Sequence, residues 1–113
     1  MSDDRKTARV RKLYEAYAAG DRAAVEGLLS DDFAFSSPVD PELDRAGYFE
    51  RCWPGAGLQQ QFKFVRLLAS GDEVIVTYEM TQADDTRGRN TEILTFRGEH
   101  ICRAEVYFGW SLD

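Results

Sequence analysis

Between Arg5 and Ala19 the apolar residues Val10, Leu13, Tyr14 and Tyr17 recur at i, i+3, i+4 and i+7. That spacing predicts one face of a helix. Gly20 follows as a left-handed stop. Asp21 stands where it can cap a second helix that carries Val25, Leu28 and Leu29 and runs to about Leu29. Phe33 to Ser36 alternates as a short strand, and Pro38 and Pro41 make Ser37 to Leu43 a loop. Asp44 can cap a third helix from about Arg45 to Cys52, which Pro54 and Gly55 end.

The second half changes period. Gln60–Ala69, Glu73–Gln82, Asn90–Arg97 and Ile101–Trp110 read as long strands, separated by Ser70-Gly71-Asp72, the polar run from Asp84 to Gly88, and Gly98-Glu99-His100. Short connections between successive strands imply an antiparallel meander. Helices first and strands later imply an α+β fold, with helices packed on one sheet face. Alternation then sorts the side chains. Val74, Val76, Tyr78 and Met80 share one face of their strand. Cys102, Ala104, Val106, Phe108 and Trp110 share one face of the last strand. Both sets are assigned to the helix-covered side.

The third long strand breaks the pattern. Leu94 and Phe96 face the apolar side, and Glu92 has the same parity. A carboxylate aimed there must be partnered, protonated or turned into a cavity, because burying it unpaired costs several kcal/mol. Two readings stand: an ion-pair member held by Arg89 or Arg45, or a pocket acid with a raised pKa.

Composition narrows the class. The chain has 113 residues with a net charge of −6, 43% hydrophobic and 12% aromatic. This suits a single soluble globular domain over residues 1–113 and is too aromatic for a disordered coil. The acidic balance argues against nucleic acid, and no apolar run is long enough for a membrane span. The start Met1-Ser2-Asp3-Asp4-Arg5-Lys6 lacks the apolar core of a signal peptide, so a cytoplasmic location is expected. Cys52 and Cys102 are read as free thiols. His100 falls in a turn, where it gives neither cysteine a base. Asp31-Asp32 lacks a third ligand, so no metal is expected.

The order helix, helix, short strand, helix and four long strands, together with certain short motifs, is recognisable. The motifs are Leu13-Tyr14-Glu15-Ala16-Tyr17-Ala18-Ala19-Gly20-Asp21, Leu28-Leu29-Ser30-Asp31-Asp32-Phe33, Ser37-Pro38 and Tyr107-Phe108-Gly109-Trp110. The chain resembles the SnoaL-like and ketosteroid-isomerase-like branch of the nuclear transport factor 2-like superfamily. The resemblance implies a cone-shaped, curved antiparallel sheet wrapped around the N-terminal helices (α-α-β-α-β-β-β-β). It also implies an interior pocket for a small apolar molecule, no cofactor, and a homodimer formed through the sheet. The steroid isomerases carry a base aspartate where this chain has Ser37, and an oxyanion tyrosine at the place counted back from Gly20 to Leu13. Their third-strand acid falls near Glu92. Their last-strand pocket positions correspond to Ala104, Val106 and Phe108.

The candidate residues follow. Glu92 is the candidate acid or base, and Asp40 is a candidate substitute base or else a turn residue beside Pro41. Tyr14, Tyr17 and Tyr78 are ligand-positioning hydroxyls or core filler. Trp53 is a stacking wall or a plug at the end of the third helix. Ala104, Val106, Phe108 and Trp110 line the expected pocket. Two functions compete: a cofactor-independent isomerase, cyclase or lyase using Glu92, and a non-catalytic ligand-binding or dimeric interaction module.

Overall fold

A computed structural model describes residues 1–58 and 60–113. Helix α1 spans Asp3–Ala19, starting on a Ser2 cap whose hydroxyl accepts from the Arg5 N–H at 3.2 Å. It ends at Gly20, which sits at φ 72°, in the left-handed region where glycine pays no Cβ penalty. A built Cβ at Gly20 lies 3.2 Å from the Gly57 Cα, so the chain also crosses the helix end closely here. Helix α2, Arg22–Leu28, is capped by Asp21, and strand β1, Leu29–Ser36, begins at once. The two-residue β2, Leu43–Asp44, leads into α3, Arg45–Arg51, where the Asp44 carboxylate accepts from the Gly47 N–H at 2.7 Å. A single 3₁₀ turn, Trp53–Gly55, follows. Strands β3 (Gln61–Ser70), β4 (Glu73–Thr81), β5 (Arg87–Arg97) and β6 (His100–Ser111) complete the chain.

The strands form one curved, unclosed six-stranded sheet in the order β2-β1-β6-β5-β4-β3, making the fold α+β. The meander β3 to β6 is antiparallel throughout. The sheet as a whole is mixed, which corrects the wholly antiparallel expectation. β1 runs parallel to β6, because helix α3 and the meander separate the two strands in sequence and return the chain alongside. β1 also starts four residues before the expected Phe33. Asp31 and Asp32 point to solvent, while Leu29 and Phe33 are buried on the covered face.

Bulges bend this sheet and reset its faces. Between Phe64 and Arg66 one residue of β3 is left over, so Phe62, Phe64, Leu67 and Ala69 all pack inward while Val65 and Leu68 are exposed. At the start of β6, Phe96 pairs with Ile101 but Thr95 pairs with Arg103. The core slot expected for Cys102 therefore belongs to fully buried Ile101, and Cys102 is half-buried. The core gathers Val10, Val25, Val74, Val76, Leu94 and Ile101, each fully buried, under α1 and α2. Each such side chain contributes about 1.5–3 kcal/mol of burial. Among the described residues no helix is long and apolar enough to cross a membrane.

Candidate functional site

Toward the end of the cone the core gives way to a cavity of about 390 Å³. Its walls come from α1 (Leu13, Tyr14, Tyr17), the Ser37–Asp40 loop, α3 and its end (Tyr48, Arg51, Cys52), and the inner face of the sheet (Phe62, Tyr78, Met80, Asn90, Glu92, Val106, Phe108). The lining is mostly aromatic and aliphatic. Its polar groups sit at two places, the floor and the mouth.

Glu92 forms the floor. Its register on β5, opposite Val76 and Val106, sends the side chain inward beside Leu94 and Phe96. The Tyr14 hydroxyl donates to Glu92 Oε2 at 2.5 Å. Tyr78, two residues from Val76 on the same face of β4, lines the cavity beside this carboxyl. The Tyr14 ring is held edge-on by Phe62 and Phe64, with centroids at 5.1 and 5.4 Å, and packs at 5.1 Å from Tyr78. Aromatic packing thus aims the Tyr14 hydroxyl. Neither arginine proposed as a partner reaches Glu92. Arg89 pairs with Glu79 on the outer face, and Arg45 donates to the Glu26 carbonyl at 3.0 Å. The ion-pair reading is overturned, because strand alternation puts Arg89 on the side of the sheet opposite Glu92.

The electrostatics follow from this enclosure. Glu92 is open to solvent only through the cavity, and crowding by protein atoms pushes its carboxyl up. The Tyr14 hydroxyl partly offsets that by bonding to the ionised form. Burial, reinforced by the Glu92 charge, pushes the Tyr14 and Tyr78 hydroxyls well above the ordinary tyrosine range, so both remain donors at neutral pH. Burial pushes Tyr17 up to about 12; its hydroxyl donates to the Cys52 carbonyl at 2.8 Å. Burial and nearby Asp40 push the Cys52 thiol up to about 11.

At the mouth, Asp40 and Arg51 form an ion pair. The loop holding Asp40 is tied by the Ser37 hydroxyl, which accepts from the Asp40 N–H at 3.1 Å. Asp40 therefore lines the cavity with its charge already engaged.

The structure brings Glu92, Asp40, Tyr17, Tyr78, Val106 and Phe108 to this cavity and leaves three candidates away from it. Ala104 is buried in the core against Leu94 and Phe35. Trp53 packs on Tyr17 and Phe49 behind the wall, in the manner of a plug. Trp110 is 65% exposed on the outer face, with Arg89 over its ring at 5.7 Å. The extra residue Gly109 explains this. Asn90 opposes Phe108 while Arg89 opposes Trp110, so parity flips between the two aromatic residues. The tyrosine position reached by counting back from Gly20 is off by one. The hydroxyl facing Glu92 comes from Tyr14, the residue after Leu13. Asn90 was not singled out at all, although its parity with Glu92 was visible.

The SnoaL-like domain profile matches residues 10–104. No curated protein matches the sequence. Among solved structures, a provisionally named ketosteroid isomerase from Kribbella flavida superposes with a TM-score of 0.82 at 20% identity, over 98% of this chain and 82% of that one. An NTF2-like protein of unknown function from Burkholderia xenovorans gives 0.80 at 18% identity, over 97% and 87%. An LEH-like epoxide hydrolase from M. tuberculosis gives 0.76 at 17%, over 95% and 84%. At these identities the likeness is one of fold. With the profile spanning most of the chain, the protein belongs to the SnoaL-like domain family.

Proposed function

We propose that the cavity takes a small, largely apolar molecule and that Glu92 exchanges a proton with one of its oxygen atoms, as in a cofactor-independent isomerase, cyclase or lyase. The observation that carries this is the Tyr14–Glu92 contact of 2.5 Å on an apolar floor without a cation. A carboxyl raised by enclosure stays available as a proton donor closer to neutral pH. Tyr14 holds one oxygen of the group as an acceptor and leaves its acidic proton for a substrate carbonyl or departing hydroxyl. Structural relatives named as a provisional ketosteroid isomerase and an LEH-like epoxide hydrolase support this reading through their shared fold.

The test needs no knowledge of the physiological substrate. A panel of apolar cyclic ketones is incubated with the protein in D₂O, where Glu92 protonates the carbonyl oxygen while solvent water takes the α-proton, and α-carbon exchange is followed by NMR. Wild-type protein accelerates exchange for the ketones that fit, and Glu92→Gln lowers that rate by about 100-fold or more. Equal exchange by the two proteins overturns the acid role.

A second reading, non-catalytic binding, has its own support. Asp40 is neutralised by Arg51, so it does not stand as a free base opposite Glu92. Ligand affinity unchanged in Glu92→Gln, with no exchange in either protein, selects it. For either function we propose a homodimer through the outer sheet face, where Tyr107 and Trp110 are exposed beside half-buried Ile75 and Ile93. A monomer by light scattering at micromolar concentration refutes this.

A further inference from the structure

The helices send three tyrosines to the cavity wall, Tyr14 and Tyr17 from α1 and Tyr48 from α3. Two of their hydroxyls are committed. Tyr14 donates to Glu92, and Tyr17 donates to the Cys52 carbonyl. Tyr48 differs. The residue is only 8% exposed, and it borders the cavity. Phe33, Phe35 and Phe49 grip its ring, with centroids 5.3, 5.2 and 5.2 Å away. Those contacts would hold a phenylalanine equally well. Yet the Tyr48 hydroxyl has no hydrogen-bond partner among the described residues, and its oxygen is not sealed inside the core. A hydroxyl taken this far out of water without a partner is a cost to the fold, and a ligand oxygen in the cavity would supply that partner.

The sheet places this hydroxyl relative to Glu92. The Tyr48 ring lies against Phe35 of β1, and Phe35 pairs with Ala104 of β6. From the other side of β6, Glu92 pairs with Val106. The β1 and β5 backbones are thus two strand spacings apart, about 10 Å. A ring compound lying on Val106 has Glu92 at one edge and Tyr48 at the other.

We propose that Tyr48 is a specificity-determining residue of this cavity: its hydroxyl donates to a second acceptor oxygen of the ligand, across the ring from the oxygen that meets Glu92. The class that fits is a ring compound with carbonyl oxygens at opposite ends, in preference to a hydrocarbon or a monoketone. Burial, reinforced by the Glu92 charge, pushes the Tyr48 hydroxyl above the ordinary tyrosine range, so it keeps its proton for donation at neutral pH. The inference rests on the reading of the cavity as a small-molecule site, and its test is independent of turnover.

Two probes of one shape separate the contacts: 2-decalone, with one carbonyl, and decalin-2,6-dione, with two. Each is titrated by NMR into wild-type protein and Tyr48→Phe. The dione should lose about fivefold in affinity in the variant, the worth of one neutral hydrogen bond, while the decalone, held through Glu92, changes by less than about twofold. Equal loss of both probes, or loss of neither, overturns the proposal. A second measurement needs no variant. A carbonyl carried from water into an apolar cavity without a donor moves upfield in its ¹³C shift. Both carbonyls of the labelled dione should resist that move when bound to wild-type protein, and an upfield shift of one of them overturns the proposal. Binding of the decalone with refusal of the dione overturns it alone; refusal of both overturns the small-molecule reading with it. Failure of the catalytic reading shows instead as ketone exchange indifferent to Glu92→Gln, which leaves the affinity comparison intact.

Discussion

Replacing Tyr14 by Phe removes one hydroxyl and leaves the ring among Phe62, Phe64 and Tyr78. Packing is thereby conserved, and the cost measures the bond to Glu92 alone. Against a protonated carboxyl that bond is neutral and contributes about 1 kcal/mol; against a carboxylate it is charge-assisted and contributes about 1.5–3 kcal/mol. The sign follows from the direction of the shift. The Glu92 carboxyl is raised in the folded protein, so its protonated form contributes stability at low pH that is lost as pH rises through the folded value. Tyr14 favours the ionised form. Its removal therefore raises Glu92 further, and the loss on deprotonation becomes larger. Tyr14 itself, held well above the ordinary tyrosine range, stays protonated below pH 9 and adds no slope of its own. Urea unfolding of both proteins from pH 4 to pH 8.5 should show destabilisation growing from about 1 to about 2–3 kcal/mol, with unchanged m-values. A difference that stays flat with pH would refute a hydrogen bond between this hydroxyl and the carboxyl.

Gly109→Ala should cost more than about 2 kcal/mol, since the Cβ meets backbone and not a flexible side chain, with hydrogen exchange accelerating first at the paired ends of β5 and β6. Cys52, with its thiol up at about 11, should alkylate slowly at pH 7.5, roughly tenfold faster for each pH unit above that, and more slowly when a ketone fills the cavity; mass spectrometry of the Cys52 peptide reads this. Asp44→Ala, which removes the α3 cap, should lower stability by about 1 kcal/mol in urea unfolding without moving the Glu92 titration. Arg51→Met frees Asp40 at the mouth. It should leave stability within about 1 kcal/mol in urea unfolding, because the arginine side is mostly exposed.

Much of this architecture was legible because burial imposes simple periods. Val74, Val76 and Tyr78 alternate into the core as their parity demands, and Glu92 follows Leu94 and Phe96 inward. Caps at Asp21 and Asp44 and the stop at Gly20 lie where their local chemistry requires. The errors fall where one extra residue resets the period. Ile101 took the slot expected for Cys102, and Trp110 went outward, each across a bulge. Nothing local in Cys102 announces its bulge. Gly109, between Phe108 and Trp110, was the available signal, since glycine inside a strand marks such a kink. The parallel pairing of β1 with β6 was equally hidden, because it joins segments from opposite ends of the chain.

The floor of the cavity shows why the carboxyl was easier to find than its partner. A strand offers two choices of face, so parity alone aims Glu92 inward. A helix turns about 100° per residue, and a count carried from Gly20 that slips by one exchanges one side chain for its neighbour. Leu13 and Tyr14 both border the cavity, so apolar spacing did not separate them. What separates them is tertiary: Val10 and Tyr14, four apart, form the most buried line of α1, and that line crosses β3 and β4 where Phe62, Phe64 and Tyr78 clamp the ring. The hydroxyl reaches Glu92 because the sheet curls around this point of the helix. The same curl brings Asn90 and the Gly109 N–H alongside Tyr78. A site assembled from α1, β4, β5 and a β6 bulge is specified by how the strands bend, and that bend is set by bulges which a side-chain period passes over.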